Sequence, residues 1–120
     1  IGNENVHASA AVTEALLLNG PAFKDFAGAS VNADPLKAKA ASPIGHVDGT
    51  EPPFLLMHGS GDKVVSPLQS KKMFEALQNK KVEAEYVLVR GAGHGDLPWY
   101  QPGVISRVVN FFDRHLKRTE

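Results

Sequence analysis

The chain has 120 residues, of which 42% are hydrophobic and 22% charged, and lysine plus arginine balance aspartate plus glutamate at 13 each. This is a globular composition, not that of a disordered segment, and a formal net charge of zero leaves neither a basic footprint for nucleic acid nor a polybasic membrane anchor. The lack of cysteine excludes disulfides and thiolate catalysis, and no apolar run approaches the roughly 20 residues that a membrane span needs.

The chain opens at Ile1, not at methionine, from which we expect a removed leader or the back part of a longer polypeptide. Ser9 to Leu18 fits a short helix with Val12, Ala15 and Leu16 on one face. Asn19-Gly20-Pro21 closes it, because glycine caps helix C-termini and proline cannot continue a helix. His7 has no second ligand at metal spacing and reads as a surface histidine. Asp34 can cap a second short helix that starts at Pro35 and runs to about Ala41. Ser42-Pro43 stops it, and the stretch from His46 to Pro53 is turn-rich. Residues 1–50 are thus expected to be a connecting, cap-like segment, and residues 51–120 a strand-helix-strand-helix unit.

That unit begins with Pro53-Phe54-Leu55-Leu56-Met57-His58-Gly59. The run is apolar without alternation, which fits a strand buried on both faces inside a parallel sheet. Ser60 to Val65 makes a tight loop. Ser66 caps the next helix, Pro67 takes its first position, and Gln69 stands where a capping box places its partner. Ser70, Met73, Phe74 and Leu77 share one face of this helix, with Lys71, Lys72 and Gln78 outside it. Val82 to Val89 alternates as a second strand, suggesting a sheet edge, with Val82, Ala84, Tyr86 and Leu88 on one side. A glycine-rich loop, Gly91 to Asp96, leads through Leu97-Pro98-Trp99-Tyr100 into a last helix from about Pro102 to Leu116. Val104, Ile105, Val108, Val109 and Phe112 form its apolar face. The order implies an α/β fold with right-handed crossovers. Two parallel strands make a poor independent domain, so the expected fold class is the C-terminal part of a doubly wound sheet.

Functional groups gather at the carboxyl ends of strands in open parallel sheets. Asp62 follows the first strand and His94 the second, and neighbouring parallel strands lie roughly 4.8 Å apart. The two side chains can therefore meet. An imidazole exchanges protons near neutrality, and a carboxylate on its Nδ1 fixes the tautomer and stabilises the imidazolium. Asp96, only two residues from His94, is poorly placed to back the ring. His58 reads as a structural strand-end residue, and Trp99 and Tyr100 read as packing residues. Gly91-x-Gly93 lacks the third glycine of a dinucleotide fingerprint, and no cofactor is implied.

The run His58-Gly59-Ser60-Gly61-Asp62-Lys63-Val64-Val65 resembles the acid loop of α/β-hydrolases, His-Gly-x-x-Asp-x-x-Val. Gly91-Ala92-Gly93-His94-Gly95 resembles the histidine loop of the same superfamily. Ala41-Ser42-Pro43-Ile44 and Pro52-Pro53-Phe54 are similar to the approach to this strand in the esterase/lipase, feruloyl-esterase-like branch, a neighbour of the prolyl-oligopeptidase-like enzymes. The resemblance covers residues 41–120 well and residues 1–40 loosely. It implies a serine carboxylic-ester hydrolase in which Asp62 is the acid and His94 the base of a catalytic triad. The family's nucleophile lies in Gly-x-Ser-x-Gly, ahead of acid and base, and this sequence has no such motif and no His-Gly-Gly oxyanion motif. Ser60 is a poor substitute, since it sits on the acid's own loop with no helix behind it. The resemblance therefore implies a partner: an N-terminal polypeptide of the same hydrolase that carries the serine and oxyanion donors, acting on a small ester. A prolyl-oligopeptidase-like peptidase fragment and a non-catalytic interaction module are the alternative readings.

Overall fold

The structure, a computed structural model, describes residues 35–117. His7, the segment from Ser9 to Leu18 and Asp34 lie outside the described residues. The first described helix, α1, spans Pro35–Ala41. A single 3₁₀ turn, Pro43–His46, follows it, so Ser42-Pro43 redirects the chain as the proline predicts. The bridge to the sheet is tied by its own carboxylates. Glu51 accepts the amides of Asp48 and Gly49, and Asp48 accepts the amide and hydroxyl of Thr50.

Two strands form a parallel pair, β1 over Phe54–Gly59 and β2 over Ala84–Val89. Their register runs from Phe54 opposite Ala84 to Gly59 opposite Val89, so both strands end in step. This matched ending sets the loops after β1 and β2 side by side. The crossover helix, α2, spans Pro67–Asn79 and packs against both strands. Leu77 on its inner face is wholly buried, and the Phe74 ring stacks on Tyr86 with centroids 5.8 Å apart. Ser66 caps α2 by accepting the Leu68 amide at 3.2 Å. The expected capping box does not form: Ser66 Oγ takes the Leu68 amide, and the Gln69 amide bonds the Ser66 carbonyl through the backbone. Val82, expected within the second strand, instead lies buried ahead of it, with its amide bonded to the Leu77 carbonyl.

The last helix, α3, spans Pro102–Leu116. Its deepest residue is Phe111, which the expected apolar face omits. The stripe is wider than one row. Val104, Val108 and Phe111 follow one line and turn inward, whereas Ile105, Val109, Phe112 and Leu116 follow a neighbouring line and remain 49–72% exposed. Arg114 bonds Glu85, and His115 lies 3.5 Å from Glu83, which ties the C-terminal end of α3 to the second strand and its approach.

Strand β1 is not buried on both faces as the run suggests. Phe54 to Met57 are half-buried, and only His58 and Gly59 are buried. Among the described residues β1 pairs with β2 alone, which leaves its other edge without a strand. A cavity of ≈ 470 Å³ separates Phe54, Leu55 and Met57 from Val108, Phe111 and Phe112 of α3. The α/β character and the strand-helix-strand-helix order are as the sequence predicts.

Candidate active site

The two expected residues meet. His94 Nδ1–H donates to Asp62 Oδ2 at 2.8 Å, and the carboxylate, which can only accept, fixes that tautomer. The Asp62 side chain is buried, but the His94 side chain is 55% exposed, with its Nε2 making no hydrogen bond among the described residues. The pair lines a cavity of ≈ 480 Å³ together with Met57, His58, Gly95 and Trp99. An aspartate behind a histidine whose far nitrogen is accessible is the arrangement that general-base catalysis requires.

Asp62 is held in place by its own loop. Its Oδ1 accepts the amides of Val64 at 2.8 Å and Val65 at 2.9 Å, a local turn that aims Oδ2 toward the next loop. Burial pushes the Asp62 carboxyl upward, but the Val65 amide, the His94 imidazole and the Val64 amide outweigh it and bring its pKa from 3.8 down to about 2. At neutral pH the group is therefore a carboxylate, the form that can stabilise an imidazolium.

Two contacts hold the histidine loop against the acid loop, and two more brace the histidine loop itself. The Gly61 amide bonds the Ala92 carbonyl at 2.9 Å, and the Gly91 amide bonds Ser60 Oγ at 2.9 Å. Asp96 Oδ1 accepts the Gly93 amide at 2.8 Å, and the Trp99 indole N–H donates to the Gly93 carbonyl at 2.8 Å. The amide and carbonyl of Gly93, just ahead of His94, are thus fixed by groups further along the same loop. Gly95 takes φ 88°, a left-handed conformation that favours glycine, and this turns the chain immediately after the imidazole. Gly59 is required for a different reason. A Cβ there would lie 2.4 Å from the carbonyl oxygens of Ala92 and Gly93, so only glycine lets the strand end approach the histidine loop.

Sequence reasoning placed Asp62 and His94 but assigned no such ties to Ser60, Asp96 or Trp99. Asp96 does not back the His94 ring, in keeping with its position, but its carboxylate closes the loop. Ser60, weak as a nucleophile from sequence, uses its hydroxyl to join the two loops. Trp99 does more than pack, since its indole is a hydrogen-bond donor. His58 is also more than a strand-end filler: it lies 3.2 Å from Asp62 Oδ2 and 2.6 Å from Ser70 Oγ. The placement of Ser70 on the inner face of α2 was the one available signal for that contact. Among the described residues, no cluster of three or more His, Cys, Asp or Glu side chains is arranged to hold a metal.

The pattern of the prolyl oligopeptidase family matches residues 9–119. Esterase LipC of Mycobacterium tuberculosis is 36% identical over 67 residues, which make up 55% of this chain and 17% of that protein. Isoprenylcysteine alpha-carbonyl methylesterase ICME of Arabidopsis thaliana is 41% identical over 64 residues, 53% of this chain and 13% of that protein. Among solved structures, a truncated form of a carbohydrate esterase from gut microbiota superposes with a TM-score of 0.66 at 28% identity, covering 73% of this chain and 30% of that one. The chain thus spans a minor part of each of these relatives. A family match over nearly its whole length, with esterases among its relatives, shows that the chain belongs to the prolyl oligopeptidase family of α/β-hydrolases.

Proposed function

We propose that this chain supplies the acid and base of a Ser-Asp-His triad in a serine carboxylic-ester hydrolase, with the serine and oxyanion donors on a preceding or accompanying polypeptide. The observation that carries this reading is the 2.8 Å contact from Asp62 Oδ2 to His94 Nδ1, with the rest of the imidazole open. The accompanying serine attacks the ester carbonyl while His94 Nε2 accepts its proton. The resulting imidazolium is stabilised by Asp62 and then passes the proton to the leaving alcohol, which leaves an acyl-enzyme. In the second half, His94 takes a proton from water and returns it to the serine as the acid departs. Asp62 remains a carboxylate throughout.

The unpaired edge of β1 and the half-exposed flank of α3 support an accompanying polypeptide, because each leaves apolar surface uncovered among the described residues. In this proposal residues 51–120 close the sheet and residues 25–50 border the substrate pocket. The family match favours a second reading, a peptidase using the same acid and base. Paired assays with a short acyl ester and a prolyl peptide amide separate the two.

The test is a serine-directed phosphonate applied to the protein that carries this chain, read by mass spectrometry under denaturing conditions. Label on a serine outside these 120 residues, with loss of ester turnover, is the expected result. Label on Ser60, or turnover that survives full labelling, contradicts the proposal.

A further inference from the structure

We propose that His58 is a positioning residue for the Asp62–His94 pair, acting as a neutral Nε2–H dipole on the carboxylate oxygen that His94 uses. The inference rests on the proposed role of that pair. His58 sits at the end of β1 and is 8% exposed. Its Nε2 faces two acceptors, the Val65 carbonyl at 3.0 Å and Asp62 Oδ2 at 3.2 Å. A bare nitrogen lone pair directed at two oxygens would be repelled by both, so Nε2 carries the hydrogen. The Ser70 hydroxyl, 2.6 Å from Nδ1, then donates to the remaining lone pair. Ser70 from α2, the Val65 carbonyl from the acid loop and His58 from β1 thus select one tautomer between them.

The consequence falls on Asp62. Its Oδ2 receives the His94 Nδ1–H and also lies against the positive end of the His58 Nε2–H bond. Among the described residues, the titratable groups seen against this carboxylate are His58 from β1 and His94 from the loop after β2, and α2 brings the neutral hydroxyl of Ser70 to His58. The His58 dipole withdraws charge from Oδ2. Acting on a carboxylate whose orientation the Val64 and Val65 amides fix, it moderates how strongly Asp62 favours the His94 imidazolium. A base held too strongly protonated would be inactive at neutral pH, so this contact tunes the range over which His94 can accept a proton.

The experiment is an NMR titration of the assembled protein that carries this chain, with isotope-labelled histidine, which reads tautomers and titration midpoints without any need for turnover. His58 in the wild type should be neutral with its hydrogen on Nε2. In His58→Leu, and in His58→Asn, whose amide occupies the Nδ1 position, the His94 midpoint should move to higher pH by about half a unit. In His58→Gln, whose amide nitrogen takes the Nε2 position, it should stay with the wild type. A hydrogen on Nδ1 of His58 would overturn the proposal, as would an unmoved His94 midpoint in both Leu and Asn variants. If His58→Leu does not fold, the wild-type tautomer and the Asn-against-Gln comparison still decide it. Asp62→Asn separates the two levels of the argument. If it leaves the His94 midpoint unchanged, the pair itself is absent and the triad proposal fails. If it lowers that midpoint while His58 variants do nothing, only the role of His58 falls.

Discussion

Asp62 concentrates the chemistry of this chain in one side chain. It is buried, yet charged at neutral pH, because two loop amides and an imidazole converge on it. Its depressed folded-state pKa makes it a stabilising group whose contribution depends on pH. The contribution is complete above the unfolded value of 3.8 and disappears as pH falls through about 2, with a size of about 2 kcal/mol. Asp62→Asn should remove this dependence, so urea unfolding midpoints of the variant should change less than wild type between about pH 4 and 2. An unchanged acid profile would mean that the carboxylate is not held as described. At this scale the sequence was legible where chemistry and spacing coincide: Asp62 and His94 each follow a strand within a distinctive glycine setting. It was silent about contacts formed only in space. His58 and Ser70 are 12 positions apart and Ser60 and Gly91 are 31 apart, and no local pattern joins either pair.

Among the elements, the decisive feature is the in-step ending of two parallel strands. The register that sets Gly59 opposite Val89 also sets the acid loop against the histidine loop. Gly59 is the point of closest approach, so Gly59→Ala should force the Ala92 and Gly93 carbonyls away. We expect it to destabilise the unit by about 1–3 kcal/mol, as overpacking against backbone does, and to lengthen the Asp62–His94 contact. Chemical denaturation reads the first effect and loss of the His94 Nδ1 proton resonance reads the second. Wild-type behaviour in both would contradict the close approach. Helix boundaries were readable because proline opens α1, α2 and α3 alike. The burial of β1 was misjudged because a strand's apolar sequence reports the sheet it is suited to, and among the described residues one of its edges is unpaired. Phe111 was missed because a stripe as wide as that of α3 does not say which of its rows turns inward.

For the molecule as a whole, Asp62 and His94 are brought together while considerable apolar surface stays open among the described residues. The outer row of α3 presents Ile105, Val109, Phe112 and Leu116, and the cavity beside β1 is lined by apolar side chains. A surface of this kind is suited to being covered. Phe112→Asp should therefore weaken association with the serine-bearing polypeptide, seen as its loss from a pull-down on tagged chain, while leaving the Asp62–His94 contact intact. Undiminished association would place the contact elsewhere. The most direct test of the central claim, that His94 is the base for a serine on accompanying polypeptide, is short acyl ester hydrolysis by the assembled protein, wild type against His94→Ala. The account predicts a loss of several orders of magnitude in kcat with little change in substrate binding. Full activity retained in His94→Ala would contradict it.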